Sequence, residues 1–478
     1  MSFKLRSLVA TTLASTVLLG LSGIALADSN TDLVQALVTK GVLTEEEGAL
    51  LTRGRAEEMG VQKKKESKYS TNAVKLRGYV QVRNTTMLGG DDGINLWSDR
   101  SVGDDKSLGD ADKNFLIRRA RLVIYGDYGD HLSYYIQPDF ASSAGTTGNV
   151  AQLRDAYGDL YFDKTRVHRI RLGQSKVPFG FENLQSSQNR LALDRADALN
   201  SAVRDERDLG AFYYYTPEAT QAMFDEIQKA GLKHSGNYGQ FGIGAYNGQG
   251  ANRGDQNDNY HVVARYTHPW KTESGQFYEV GIQGYKGEYL STVGTYSRRL
   301  ANGTLAAATP ALGTGTPLSG RNGVDDERVG LSFMMYPQPF GLQAEWNWGN
   351  TPGLDIASNR IEKKSLNGGY IQAMYKIDNV KFFDTNGTVI PFIKYQYFDG
   401  YNKAETNSPK NEVHDWELGV EWQIAPEVEI AAVYHRMNRT NLVTGARNTA
   451  STSNNLPARE DYENFSADAL RIQVQYNY

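Results

Sequence analysis

The 478-residue chain contains no cysteine. No disulfide can brace it, and no thiolate can ligate a metal or serve as a nucleophile. Beyond residue 27 it also lacks any apolar run approaching the roughly 20 residues that a membrane-spanning helix needs. Histidine is scarce. His131, His168, His234, His261, His268, His414 and His435 are scattered, and none is placed beside a nucleophile or within a carboxylate cluster of ligand spacing. Hydrolase chemistry and metal transport therefore lack support. No plug domain is evident, so energy-coupled transport is unsupported. The glycine-rich stretches fall on turns and form no nucleotide-binding motif. Basic residues are strand-spaced rather than clustered with aromatics on one exposed face, so no nucleic acid partner is implied. No cofactor is implied either.

What the chain does have is 48 Gly, 29 Tyr, 17 Phe and 6 Trp, with a mean hydropathy of −0.53. A membrane β-barrel uses glycine at tight crossings and Tyr or Trp in its two interfacial girdles. Low hydropathy fits a wall of which half faces water. The last strand makes the pattern explicit. Leu470, Ile472, Val474, Tyr476 and Tyr478 share one face, and Arg471, Gln473, Gln475 and Asn477 share the other. Strict period-2 alternation into a terminal aromatic suits the closing strand of an outer-membrane barrel. Taken alone, it equally suits an edge strand of a soluble sheet.

The other end argues against that edge strand. Lys4 and Arg6 precede a mostly apolar stretch from Leu8 that ends in Ala25-Leu26-Ala27, an export signal with a cleavage pattern before Asp28. Small residues and threonines dilute the run, against an uncleaved anchor. Cleavage removes two basic residues and takes the formal charge from −4 to −6. The segmentation is thus a signal peptide over 1–27, a helical and linker segment over 28–70, and a barrel over 71–478. In 28–70, Leu33, Val34, Leu37 and Val38 have helical spacing, Gly41 breaks that helix, and Thr44-Glu45-Glu46-Glu47 reads as a capping box. This segment is either a flexible periplasmic tail or a small oligomerisation or cell-wall-facing module.

Sixteen alternating segments recur from Ala73 onward: 73–83, 115–126, 131–140, 151–162, 167–175, 208–216, 238–246, 259–268, 276–286, 326–336, 341–350, 368–377, 389–399, 412–423, 428–437 and 467–478. The stretch 226–235 extends the sixth strand or adds another. Short connections such as Tyr128-Gly129-Asp130, Pro337-Gln338-Pro339 and Pro426-Glu427 alternate with long ones, 84–114, 287–325 and 438–466. The expected fold is all-β: a transmembrane antiparallel barrel of about sixteen strands with both ends periplasmic, embedded in outer-membrane lipid.

Assigning apolar positions to lipid leaves Lys75, Arg77, Tyr79, Gln81 and Arg83 of the first strand facing inward. Arg119 and Arg121 of the second and Arg169 and Arg171 of the fifth join them. Arginines at i, i+2 spacing stack about 6–7 Å apart along a wall and can pass an oxyanion between guanidinium forks. Asp139, Asp155 and Asp159 also point inward, so the same arginines can instead brace the wall. Between about Gln174 and Asp208 a long segment carries Lys176, Arg190, Arg195, Arg204 and Arg207 against Asp194, Asp197, Asp205, Glu206 and Asp208. Folded inward, it would narrow a sixteen-strand barrel.

Several motifs together resemble the phosphate-selective porin O/P family. They are Arg118-Arg119-Ala120-Arg121, Gln137-Pro138-Asp139-Phe140, Arg154-Asp155-Ala156-Tyr157 and the run from Arg169 through Lys176 to Glu182. Asp205–Gly210 and Tyr246-Asn247-Gly248 fit as well. The resemblance implies a sixteen-stranded, usually trimeric porin with an inward third loop and an arginine ladder. By motif position, Arg119, Arg121, Arg169 and Arg171 belong to the basic wall, and Lys176 to the loop's start. Two departures stand out: a third loop as acidic as it is basic, and an insertion over 217–235. The expected activity is passive diffusion of small inorganic anions, phosphate foremost, past Lys75, Arg77, Arg83, Arg119, Arg121, Arg169, Arg171 and Lys176. The alternatives are a general porin for organic acids or sugars and a surface scaffold.

Overall fold

The computed structural model describes residues 37–40, 42–45, 47, 74–91, 94, 113–144, 147–299, 302, 304–312, 323–442 and 462–478. The chain divides into two compact units, 1–73 and 74–478. In the first, Leu37–Thr39 is helical, and the Val42 N–H donates to the Leu37 carbonyl at 3.0 Å. Thr44 and Glu47 cap each other: the Thr44 N–H donates to Glu47 Oε2 at 3.0 Å, and the Glu47 N–H donates to Thr44 Oγ1 at 3.2 Å. This is the reciprocal geometry of a capping box. The export signal, Leu33, Val34 and Gly41 lie outside the described residues.

The second unit is a closed antiparallel barrel of sixteen strands. In chain order these are β1 Lys75–Gly90, β2 Lys113–Tyr128, β3 Leu132–Ala144, β4 Thr147–Tyr161, β5 His168–Lys176, β6 Arg207–Tyr215, β7 Phe241–Tyr246 and β8 His261–Lys271. There follow β9 Phe277–Tyr289, β10 Val324–Met335, β11 Phe340–Asp355, β12 Arg360–Tyr375, β13 Thr385–Tyr401, β14 Lys410–Ala425, β15 Val428–Leu442 and β16 Tyr462–Asn477. Two further strand pieces, Ala311–Leu312 and Ile377–Phe382, pair with β12 and with the start of β13. Among the described residues no helix is long and apolar enough to cross a membrane; the crossings are made by strands.

Each strand pairs with its neighbours, and β1 pairs with β16 from Tyr79↔Asn477 to Gly90↔Ala467. Closure leaves no edge. At the seam Gly78 and Tyr478 exchange backbone hydrogen bonds of 2.7 and 3.0 Å. A Cβ on Gly78 would lie 2.4 Å from the Arg121 carbonyl oxygen and 2.6 Å from the Tyr478 ring, so this position has room only for glycine.

The pleat sorts the side chains. On β16, Arg471, Gln473 and Gln475 are buried, while Ile472 and Tyr476 are 40 % and 48 % exposed. Leu76, Leu172, Leu331 and Leu418 likewise face out. Exposed aromatics ring the rim that carries both ends of the barrel: Tyr128, Phe162, Tyr215, Phe340, Tyr375 and Tyr478. That belt places the rim at a membrane–water interface.

One departure from simple alternation matters for the site. In the β1–β2 ladder Gln81 faces Arg119, and Val82 faces Ile117. Arg118 is the extra residue of a bulge, and the facing of β2 flips there: Phe115 and Ile117 are exposed, while Arg119 and Arg121 are buried. Arg118 therefore joins Arg119 inside.

The stretch 226–235 is not a strand. Helix α3, Glu218–Lys229, occupies the connection between β6 and β7. Phe224 and Ile227 stand one helical turn apart and are both buried, and Gly231 ends the helix at φ 68°. The local signal was helical spacing, in a run too short in alternation to make a wall strand.

Candidate functional site: the lumen wall and the connection 177–206

The inward face of β1–β5 is a set of cross-strand polar pairs. Arg121 stands opposite Asp139 in the β2–β3 register and donates to its Oδ2 at 2.7 Å. It also donates to Tyr79 Oη at 2.8 Å and to Ser187 Oγ at 3.3 Å. Arg171 stands opposite Asp159 and grips it through Nε and Nη2 at 2.7 and 2.8 Å. Its guanidinium lies 3.7 Å from the centre of the Tyr157 ring. Arg169 approaches Asp159 at 3.8 Å, donates to the Asn237 carbonyl and lies over Tyr214. These pairs follow from register: residues opposed on one face sit within reach of each other.

The connection between β5 and β6, residues 177–206, contributes short helices α1 Phe181–Leu184 and α2 Asp197–Asn200. Its partners lie on many strands. The N–H groups of Phe181 and Glu182 donate to the Glu345 carboxylate on β11 at 2.5 and 2.7 Å. Lys394 on β13 donates to Glu182 Oε1 at 2.6 Å, and Arg439 on β15 to Asp197 Oδ2 at 2.6 Å. Arg328 on β10 donates to the carbonyls of Ala198 and Ser201 at 3.0 and 2.9 Å.

Two buried carboxylates organise the arginines around this connection. Asp194 lies 2.8 Å from Arg83, 2.9 Å from Arg471, 3.5 Å from Arg118 and 3.8 Å from Arg119. Glu206 lies 3.0 Å from Arg207, 3.4 Å from Arg154, 3.5 Å from Arg195 and 3.9 Å from Arg190. Burial penalises both charges, but the surrounding guanidiniums outweigh it and hold both carboxyls well below the ordinary range. Burial, with Arg195 next, pulls Arg190 down to about 10.

Between this connection and the β1–β5 wall lies a cavity of about 600 Å³. Arg77, Arg121, Arg171, Lys176 and Arg207 line it, with Asp155 and Asp225 as the acidic residues. Tyr125, Tyr135, Tyr157 and Tyr238 supply aromatic surface, and Tyr135 stacks on Tyr157 at 5.2 Å. Lys176 donates to the carbonyls of Leu184 and Gln185 at 3.1 and 2.8 Å, which ties the start of the connection to the wall. Among the described residues Arg171 Nη1 has no hydrogen-bond partner. No group of three His, Cys, Asp or Glu side chains there converges as a metal site.

A closed sixteen-strand wall with a polar interior and a basic cavity is a channel architecture. The family model for phosphate-selective porin O and P matches residues 93–478. The chain belongs to this porin family. It is a passive outer-membrane channel and not an enzyme. No curated protein matches it. Among solved structures it resembles the outer membrane channel DcaP of Acinetobacter baumannii at 14% identity and TM-score 0.48, covering 86% of this chain and 99% of that one. It also resembles OmpT of Vibrio cholerae (12%, TM-score 0.45, covering 85% and 97%) and the anion-selective porin from Comamonas acidovorans (13%, TM-score 0.44, covering 85% and 99%).

In this porin the eight basic residues singled out in the sequence fall into three settings. Arg77, Arg121, Arg171 and Lys176 share the cavity, with Arg169 beside Arg171 on β5. Arg83 and Arg119 gather at Asp194 instead, and Arg119 also donates to Gln81 Oε1 at 2.7 Å. Lys75 is exposed at the rim, 6.0 Å from the Tyr125 ring centre. Sequence reasoning did not identify Arg154 or Arg471 as members of the arginine clusters. Arg471 was nonetheless readable as inward from its own strand. Nor did it foresee Tyr135 and Tyr157 on the cavity wall, or the roles of Asp194 and Glu206 as shared acceptors, which depend on long-range folding.

Proposed function

We propose that this porin passes small anions, phosphate foremost, through the cavity between the β1–β5 wall and the connection 177–206, which acts as an inward constriction loop. One observation carries the reading: the cavity lining sets Arg77, Arg121, Arg171, Lys176 and Arg207 against Asp155 and Asp225, an excess of positive charge. Permeation needs sites that attract and also release, so paired, graded arginines suit it better than one deep well. The constriction reading draws on the partners of 177–206 across β10, β11, β13 and β15. The family resemblance supports assembly as a homotrimer.

The bracing reading rests on its own observation: Arg121, Arg171 and Arg207 each hold an aspartate at 2.7–2.9 Å. Phosphate block separates the two. Chloride current through the purified porin is recorded while phosphate is added, for the wild type and for Arg121→Ala and Arg171→Ala. The proposal expects block in the wild type and its loss in both variants. Current indifferent to phosphate in all three would leave the arginines as braces of a general porin.

A further inference from the structure

The connection between β6 and β7, residues 216–240, leaves the barrel at the rim where β1 begins and β16 ends. It then crosses to the far wall. Lys233 Nζ donates to Glu421 Oε1 at 2.6 Å and to Glu429 Oε2 at 3.1 Å. Glu421 lies on β14 and Glu429 on β15. In a ring of sixteen strands, 6 to 14 and 7 to 15 are each eight steps apart, so the segment reaches the diametrically opposite wall. A chain that starts on one side of a closed ring and is anchored on the other must span its mouth.

The sequence of α3 suits that crossing. Thr220, Phe224 and Ile227 repeat at helical spacing and are buried. Phe224, Ile227 and Leu232 pack with Phe181 and Leu191 of the connection 177–206 and with wall residues such as Met334 and Phe392. Gln221, Asp225 and Gln228, one turn apart from each other, line the basic cavity instead. The two crossing segments touch: Gln185 Nε2 donates to the Lys233 carbonyl at 3.0 Å. Apolar packing thus occupies the side of the mouth toward the far wall. The cavity stays open on the basic side, bounded by Gln221, Asp225, Gln228, Asn237 and Tyr238.

We infer that residues 216–240 form a second constriction at this mouth, so that solute leaving the basic cavity passes the polar face of α3. This rests on the proposed pathway through the cavity, but not on its anion preference. Asp225 gives the exit an opposing charge where the wall upstream is basic. Two crossings, one entering from each rim, bound the same cavity, and that arrangement makes solute size as well as charge a criterion for passage.

The absence of cysteine allows a direct test with the full-length porin. Asp225→Cys and Gln228→Cys place single thiols on the cavity face. Lys229→Cys places one on the exposed flank outside the cavity lining. Each purified variant is reconstituted in a planar bilayer and treated with a bulky thiosulfonate from either side. The inference expects single-channel current to fall about twofold or more at positions 225 and 228, faster from one side than the other, and to stay unchanged at 229. Replacing 218–235 by a short Gly/Ser linker is the complementary variant, expected to raise conductance several-fold. Thiols that label fully at 225 and 228 without changing the current would overturn the inference, as would equal effects at 229. The reversal potential, measured on the same channels, reports anion selectivity independently. A non-selective channel that is still blocked by labelling would refute the anion reading and keep the constriction.

Discussion

Arg471 Nη1 donates to Asp194 Oδ2 at 2.9 Å and so ties the closing strand to the connection 177–206, 277 residues earlier. Arg83, on the strand that pairs with β16, reaches the same oxygen at 2.8 Å. One carboxylate therefore clamps the connection to both sides of the barrel seam. Its removal would leave several buried guanidiniums without their shared counter-charge. Breaking a buried pair from one side costs about 3–5 kcal/mol, so Asp194→Ala should lower the unfolding midpoint clearly and make open-channel current noisier. Denaturant unfolding in detergent and single-channel records check both. An unchanged midpoint would show that Asp194 anchors nothing.

Acid should spare the same clamp. Asp194 and Glu206 are held well below the ordinary carboxyl range. A depressed folded-state pKa gives stability that is present above the unfolded value. It is lost only as pH falls through the folded value. With His234 replaced by Gln, conductance should therefore stay steady from neutral pH down to about 4, where free carboxyls begin to protonate. In that variant, a conductance change already complete near pH 5 would contradict these ion pairs.

His234 predicts the opposite kind of sensitivity. It lines the cavity, stacks on Phe224 at 5.7 Å, and its Nδ1 accepts the Gly236 N–H at 2.9 Å. Burial pushes its pKa below the ordinary 6.5. The unfolded chain takes up the proton first, so His234 costs stability as pH falls through that ordinary value. In the folded channel the added charge arrives only in mild acid. Anion current should rise only once the pH falls below the ordinary histidine range, and His234→Gln should abolish the rise. The same rise in the variant would assign it to another group.

Much of this was legible in the chain. Sixteen segments of alternation correspond to sixteen wall strands because a barrel wall has lipid on one side and water on the other. The inward set on β1, β2 and β5 followed from the same parity. The pairing of Arg121 with Asp139 and of Arg171 with Asp159 required register, which parity does not give. Arg118 was hidden by a bulge, since one extra residue flips the facing of everything beyond it. Asp194 and Glu206 looked like ordinary loop acids, because their partners come from strands distant in sequence. Helix α3 was obscured by a weak alternation over 226–235, although Phe224 and Ile227 carried the helical signal.

The barrel seam offers a test of closure. Gly78 faces the Arg121 carbonyl oxygen and the Tyr478 ring with no space for a side chain. Gly78→Leu should force β1 away from β16 and lower the temperature at which the folded band is lost in semi-native electrophoresis. Adding Tyr478→Ala relieves the ring clash but not the carbonyl one, so it should not restore stability. Full rescue would show that the ring alone sets the glycine requirement.

The central claim, that the basic cavity wall selects the permeating charge, is tested most directly by the reversal potential in a KCl gradient. The account predicts a potential close to that of a chloride-selective channel. In the Arg121→Ala/Arg171→Ala double variant it should shift strongly toward zero, with the chloride-to-potassium permeability ratio falling about tenfold. A near-zero or cation-selective potential in the wild type, unchanged by the two substitutions, would contradict it.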